Sequence, residues 1–103
     1  MGNHYRQGDV MLFAEAVPPS AQRSSTVGDV ILALGETTGH AHRIAEAAGV
    51  TIHEHEGTRW IRVPRSGATL AHEEHGAIAI APGDYHVVIQ REYSPEEIRN
   101  VKD

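Results

Sequence analysis

The 103-residue chain predicts an all-β fold, a small antiparallel sandwich or barrel. Three observations carry this. Apolar runs are short and recur along the whole chain, about seven or eight of them. Gly and Pro punctuate them at nearly every boundary. Two alternating runs also meet at Gly57-Thr58, a hairpin signal.

The elements follow in order. Asp9 to Ala16 reads as a first strand entered from Gly8, and Pro18-Pro19 ends it because proline cannot donate to a ladder. Ala21 to Thr26 is polar and reads as a loop. Val30 to Leu34 is a continuous apolar run, consistent with a strand buried on both faces. Ala45 to Gly49 has room for one helical turn and no more. Val50 to Glu56 and Arg59 to Pro64 form the hairpin. Thr69 to Ala71, Ala77 to Ala81 and Tyr85 to Tyr93 supply the remaining strands. Ser94-Pro95-Glu96-Glu97 has a cap, a proline at the first helical position and a following acid, which predicts a short C-terminal helical turn.

Length suits one domain, residues 1–103, able to bury roughly 60–70% of its unfolded surface. Fourteen acidic residues against nine basic ones give a charge of -5, which argues against a nucleic-acid partner. No apolar stretch reaches the length of a membrane span, and Met1 to Gln7 lacks the apolar segment of a signal peptide. A cytoplasmic location is therefore expected. With no cysteine, disulfides, thiolate metal sites and a cysteine nucleophile are excluded.

Histidine is the outlier. Six of the eight histidines fall in three close pairs, His40 with His42, His53 with His55, and His72 with His75. His40 and His42, two apart, share one face if the backbone is extended. Neutral imidazole is a common ligand for Zn, Fe, Ni and Cu, and Glu46 offers a carboxylate four residues beyond His42. His72-Glu73-Glu74-His75 is the second candidate, able to lend His72 or His75 to the same ion. It is not the helical zinc-protease motif, whose histidines lie four apart. His53 and His55 alternate with Ile52 and Glu54, the ordinary pattern of a strand with one wet face.

Two stretches carry a family resemblance. The first is Gly35, four residues, His40-x-His42, three residues, Glu46. The second is Gly76, five residues, Pro82-Gly83, two residues, His86, three residues, Gln90. Together they resemble the two motifs of the cupin superfamily. The first gap is one residue short, Pro82-Gly83 lacks an intervening residue, and Gln90 stands where that family has Asn. The resemblance implies a jelly-roll β-barrel with one divalent ion (Fe, Mn, Ni or Zn) held by His40, His42, Glu46 and His86. It also implies a small-molecule ligand and a homo-oligomer. Two other readings stand beside it. One is a non-catalytic β-domain for self-assembly or partner binding with surface histidines. The other is a structural zinc site in which His72 and His75 join His40 and His42.

Overall fold

Side chains that alternate along an extended backbone can bury one face of a sheet and leave the other outward. The computed structural model describes residues 4–24, 28–34 and 40–89. Among these, ten strands fall into two antiparallel sheets. The strands are β1 (His4–Gln7), β2 (Val10–Ala14), β3 (Gln22–Ser24), β4 (Val30–Leu34), β5 (Ala41–Ile44), β6 (Thr51–His55), β7 (Thr58–Val63), β8 (Ala68–Ala71), β9 (Ile78–Ile80) and β10 (Gly83–Ile89). A 3-10 turn occupies Glu46–Ala48. The six-stranded sheet has the order β1-β2-β10-β7-β6-β3, and the four-stranded sheet β4-β5-β8-β9. No helix among the described residues is long and apolar enough to cross a membrane.

The all-β expectation holds at this level, but the two sheets are not closed into one barrel. Their inner faces share one apolar core. Leu12, Val10 and Ile61 from the larger sheet are fully buried, as are Ile44 and Leu70 from the smaller. Burying a side chain of this kind stabilises the fold by about 1.5–3 kcal/mol each. The hairpin between β6 and β7 turns through Glu56 (φ 52) and Gly57 (φ 79), with His55 opposite Thr58. Two positive φ values in a two-residue turn match the twist of the flanking strands.

Polar contacts tie the sheets together on both sides. On one side the Tyr5 hydroxyl accepts from the Ala81 N–H at 3.1 Å, and the Tyr85 hydroxyl donates to the Ala81 carbonyl at 2.7 Å. On the other, the Arg59 guanidinium donates to the carbonyls of Ile31 and Leu32 on β4. Strand β4 is an edge of its sheet, and a capped edge is a poor template for further pairing.

Strands β1 and β3 lie where the sequence reads as polar chain. Their pairing is imposed by neighbours: Gln22 to Ser24 align with Glu54 to Ile52, and His4 to Gln7 with Phe13 to Val10. Edge strands bury little, so no apolar pattern marks them. The helical turn expected at Ser94 to Glu97 lies outside the described residues.

The outward face of the larger sheet is covered in part. The segment from Glu15 to Ala21 must pass from β2 to β3 across β10, β7 and β6. It is pinned to side chains of that face. The Val17 N–H donates to Asp84 at 3.0 Å, Glu15 lies 3.4 Å from His86, and Ser20 meets His55 at 3.3 Å. His53 is consequently 7% exposed rather than wet, and Trp60 is 6% exposed. Burial, with the Arg62 and Arg23 charges, pushes the His53 pKa below its ordinary value.

Asp84 anchors this strap. It accepts from Arg62 Nε at 2.9 Å and Arg62 Nη2 at 3.2 Å as well as from Val17. The bond from Arg62, and then the one from Val17, hold its carboxyl below the usual 3.8. A depressed carboxyl pKa stabilises the fold above the unfolded value and ceases to do so as pH falls through the folded one. A depressed histidine pKa makes the unfolded chain take up its proton first, so stability also declines as pH drops below the usual 6.5 of His53. Asp84→Asn should cost about 2 kcal/mol near neutral pH in a denaturant melt. The gap to the wild type should close as the pH falls below 3.8.

Candidate metal site

Four imidazoles meet where the ends of the two sheets approach. Ring centroids lie 5.7 Å apart for His40 and His72, 4.3 Å for His42 and His72, 4.7 Å for His72 and His75, and 5.8 Å for His42 and His75. His42 projects from β5 and is 3% exposed. His40 lies just before that strand, with Nδ1 3.6 Å from Glu74 Oε2. His72 follows β8 directly, and His75 sits on the exposed turn before β9.

Gln7 organises this cluster. Its side chain, 3% exposed at the end of β1, donates from Nε2 to the carbonyls of Leu70 and Gly76, each at 2.9 Å. Two carbonyls on one nitrogen identify it as the amide NH2, so Oε1 is the acceptor facing His42 Nδ1 at 2.9 Å. That assigns the His42 proton to Nδ1 and the lone pair to Nε2. Metal-binding imidazoles are commonly held in this way, by an acceptor behind the ring.

His72 is fixed in the opposite sense. Its Nδ1 accepts the backbone N–H groups of Glu74 at 3.0 Å and His75 at 3.3 Å. Neutral His72 therefore carries its proton on Nε2.

The neighbouring residues pack the cluster from below and from the side. His75 rests on the backbone of Gly8, where an added Cβ would stand 2.6 Å from Nε2. Glu73 accepts from the Ala41 N–H at 2.9 Å and from Arg43 at 3.2 Å, which ties the turn to β5. The bond from Ala41 is the main cause holding its carboxyl below the usual range. A cavity of about 250 Å³ lies alongside, lined by Arg43, Ala71, His72 and Glu73.

The structure thus brings together His40, His42, His72 and His75, and it places Glu46 and His86 elsewhere. Glu46 opens the 3-10 turn, exposed, its N–H bonded to Asp29, and lines a separate cavity with Arg23 and Thr51. His86 lies on the outward face of β10, stacked on Trp60 at 4.9 Å and beside Glu15. The set His40, His42, Glu46 and His86 does not converge, so it does not fit one ion. Among the described residues, no group of three or more His, Asp or Glu side chains is arranged to hold a metal ion. Gln7 is absent from any motif in the sequence, because a buried amide distant in the chain leaves no local pattern, and Gly8 is legible there only as a turn.

These features define a class: an all-β protein of two antiparallel sheets with a histidine cluster wedged between their ends. The chain belongs to the family described as Domain of unknown function (DUF8820), whose model matches residues 6–90. That span includes Gln7, Gly8 and all four clustered histidines. No curated protein and no solved structure matches the chain.

Replacing Gln7 by Leu would strand the buried Leu70 carbonyl, the part-buried Gly76 carbonyl and the His42 N–H. A loss of about 2–4 kcal/mol is expected in a urea melt. Gly8→Ala should displace His75, which nuclear magnetic resonance of the ring protons would report, at a smaller cost from the φ of +57.

Proposed function

We propose that the protein binds one divalent transition-metal ion at this end of the sandwich, through His42 together with His40 and His75. The observation that carries the reading is the buried bond from His42 to Gln7, which presets the nitrogen a metal needs. An all-imidazole donor set without thiolates suits Zn, Ni, Cu or Fe. His40 and His75 are at least partly exposed, so they turn from ring contact to nitrogen-first at the cost of a side-chain rotation. Three ligands leave a coordination position open, the arrangement of a reactive rather than a structural centre.

The cupin resemblance bears on this site through its first motif. His40 and His42 belong to the cluster and come from the predicted His-x-His. The two sheets would then correspond to an opened jelly roll. The second motif contributes the β9–β10 region of the fold, but its His86 serves the outward face. In this reading His75, from the turn after β8, stands in place of the Glu46 and His86 that the resemblance implies.

Elemental analysis after zinc titration into untagged protein tests the reading. About one ion per chain is expected for wild type, Glu46→Ala and His86→Ala, and much less for His42→Ala and His75→Ala. Loss of the ion in His86→Ala with retention in His75→Ala would restore the cupin ligand set. Failure of the wild type to take up zinc, nickel, copper or iron would sink the metal reading altogether.

A further inference from the structure

The strap from Glu15 to Ala21 is held to the larger sheet by few bonds. Among the described residues its backbone reaches the sheet at two points. The Glu15 N–H donates to the Asp84 carbonyl at 3.1 Å, and the Val17 N–H to the Asp84 carboxylate at 3.0 Å. Pro18 and Pro19 have no N–H to give. Farther along, the Ser20 hydroxyl meets His55. Beneath the strap, β6, β7 and β10 are fixed residue by residue in antiparallel ladders. Of these two layers the strap yields first.

His53 is 7% exposed on this face, in a setting that suits only the neutral ring. Thr51 Oγ1, 2.9 Å from Nε2, is its one hydrogen-bond partner among the described residues. An imidazolium carries an N–H at both nitrogens and needs an acceptor for each. The charges that reach it are Arg62 on β7 and Arg23 on β3, both repulsive, and Asp84 on β10, which is attractive. Asp84 is already engaged by Arg62 and Val17. The other histidines of the face have acids of their own. His86 on β10 has Glu15, the strap's one charged residue, and His55 on β6 has Glu56. Charging His86 tightens its pair with Glu15 and holds the strap, and charging His55 is answered by Glu56. Charging His53 has no such answer.

We propose that the strap is a pH-sensitive cover, lifted from β6 and β7 in mild acid when His53 takes up a proton. Lifting brings water to the ring and breaks no strand ladder. It also bares Trp60, 6% exposed beneath the same segment, and with it the row Phe13, His86, Trp60 and His53. The low folded pKa of His53 agrees in sign. Burial is its first cause, so the covered form takes the proton less readily than the lifted one, and acid favours lifting. None of these residues belongs to the histidine cluster at the end of the sandwich, and the strap moves whether or not that cluster binds an ion.

Amide exchange of Val17, followed by nuclear magnetic resonance from about pH 8 to about pH 5 and corrected for the chemical rate, measures lifting. Asp84 keeps its charge over this range, its pKa being held below 3.8. Below the ordinary 6.5 of His53, the lifted fraction should grow about tenfold per pH unit until the ring is charged, the slope for one proton. Acrylamide quenching of Trp60, the sole tryptophan, should rise with it, while the amides of β7 and β10 stay protected. The His53 ring should titrate with the same midpoint. His53→Gln keeps a hydrogen bond to Thr51 and takes no proton, so its Val17 protection should not change with pH. The acid response should persist in His55→Gln and His86→Gln. Val17 protected throughout in wild type, with His53 either charged or still neutral at the acid end, would overturn the proposal without recourse to any variant. An acid response surviving in His53→Gln would overturn it as well. So would loss of protection in β7 and β10 in step with Val17, which would make the event global unfolding.

Discussion

The buried Gln7 amide is the constraint on which the rest of this end of the molecule depends. A primary amide has two donors and an oxygen acceptor, and here they meet β8, the turn before β9, and β5 in one stroke. A buried amide without partners would cost several kcal/mol, so the three segments are held to one arrangement. Because β1 lies in the larger sheet and the other partners in or beside the smaller, this side chain is also a tie between sheets. Its geometry decides the tautomer of His42, and so decides what His42 can do.

The remaining ties follow the same principle, with polar groups placed where the apolar core ends. Tyr5 and Tyr85 share Ala81, and Arg59 takes carbonyls at the β4 edge. On the outward face, one residue from each strand of the larger sheet falls in a single register row: His4, Phe13, His86, Trp60, His53 and Arg23. The strap from Glu15 to Ala21 crosses this face and accounts for the burial of Trp60 and His53. Trp60 Nε1 finds no acceptor among the described residues, a cost offset by its stacking on His86.

The histidine cluster illustrates how hydrogen bonds sort chemically identical side chains. His42 and His72 stand 4.3 Å apart, centroid to centroid. One has its proton placed on Nδ1 by a carbonyl oxygen, the other on Nε2 by backbone N–H groups. The two rings are therefore held as opposite tautomers. The two side chains are otherwise the same imidazole.

The sequence by itself determined the strand-rich class, since alternation and Gly/Pro turns are local signals. It marked the strands from Val30 to Leu34 and Val50 to Val63, and it singled out His40, His42, His72 and His75 among its candidates. Local signals also explain what it could not decide. His86 and Glu46 carry motif spacing equal to that of His42, and only the face of β10 and the position of the 3-10 turn separate them from the cluster. His53 reads as a wet residue because the strap that covers it comes from a distant part of the chain. Gln7 shows no pattern at all and Gly8 only a turn, because their role arises when β1 meets β5, β8 and the turn at His75. Tertiary structure decided which imidazoles meet and which nitrogen of His42 carries the proton, because both depend on partners distant in the chain, whereas the His72 proton is placed by the N–H groups of Glu74 and His75 beside it.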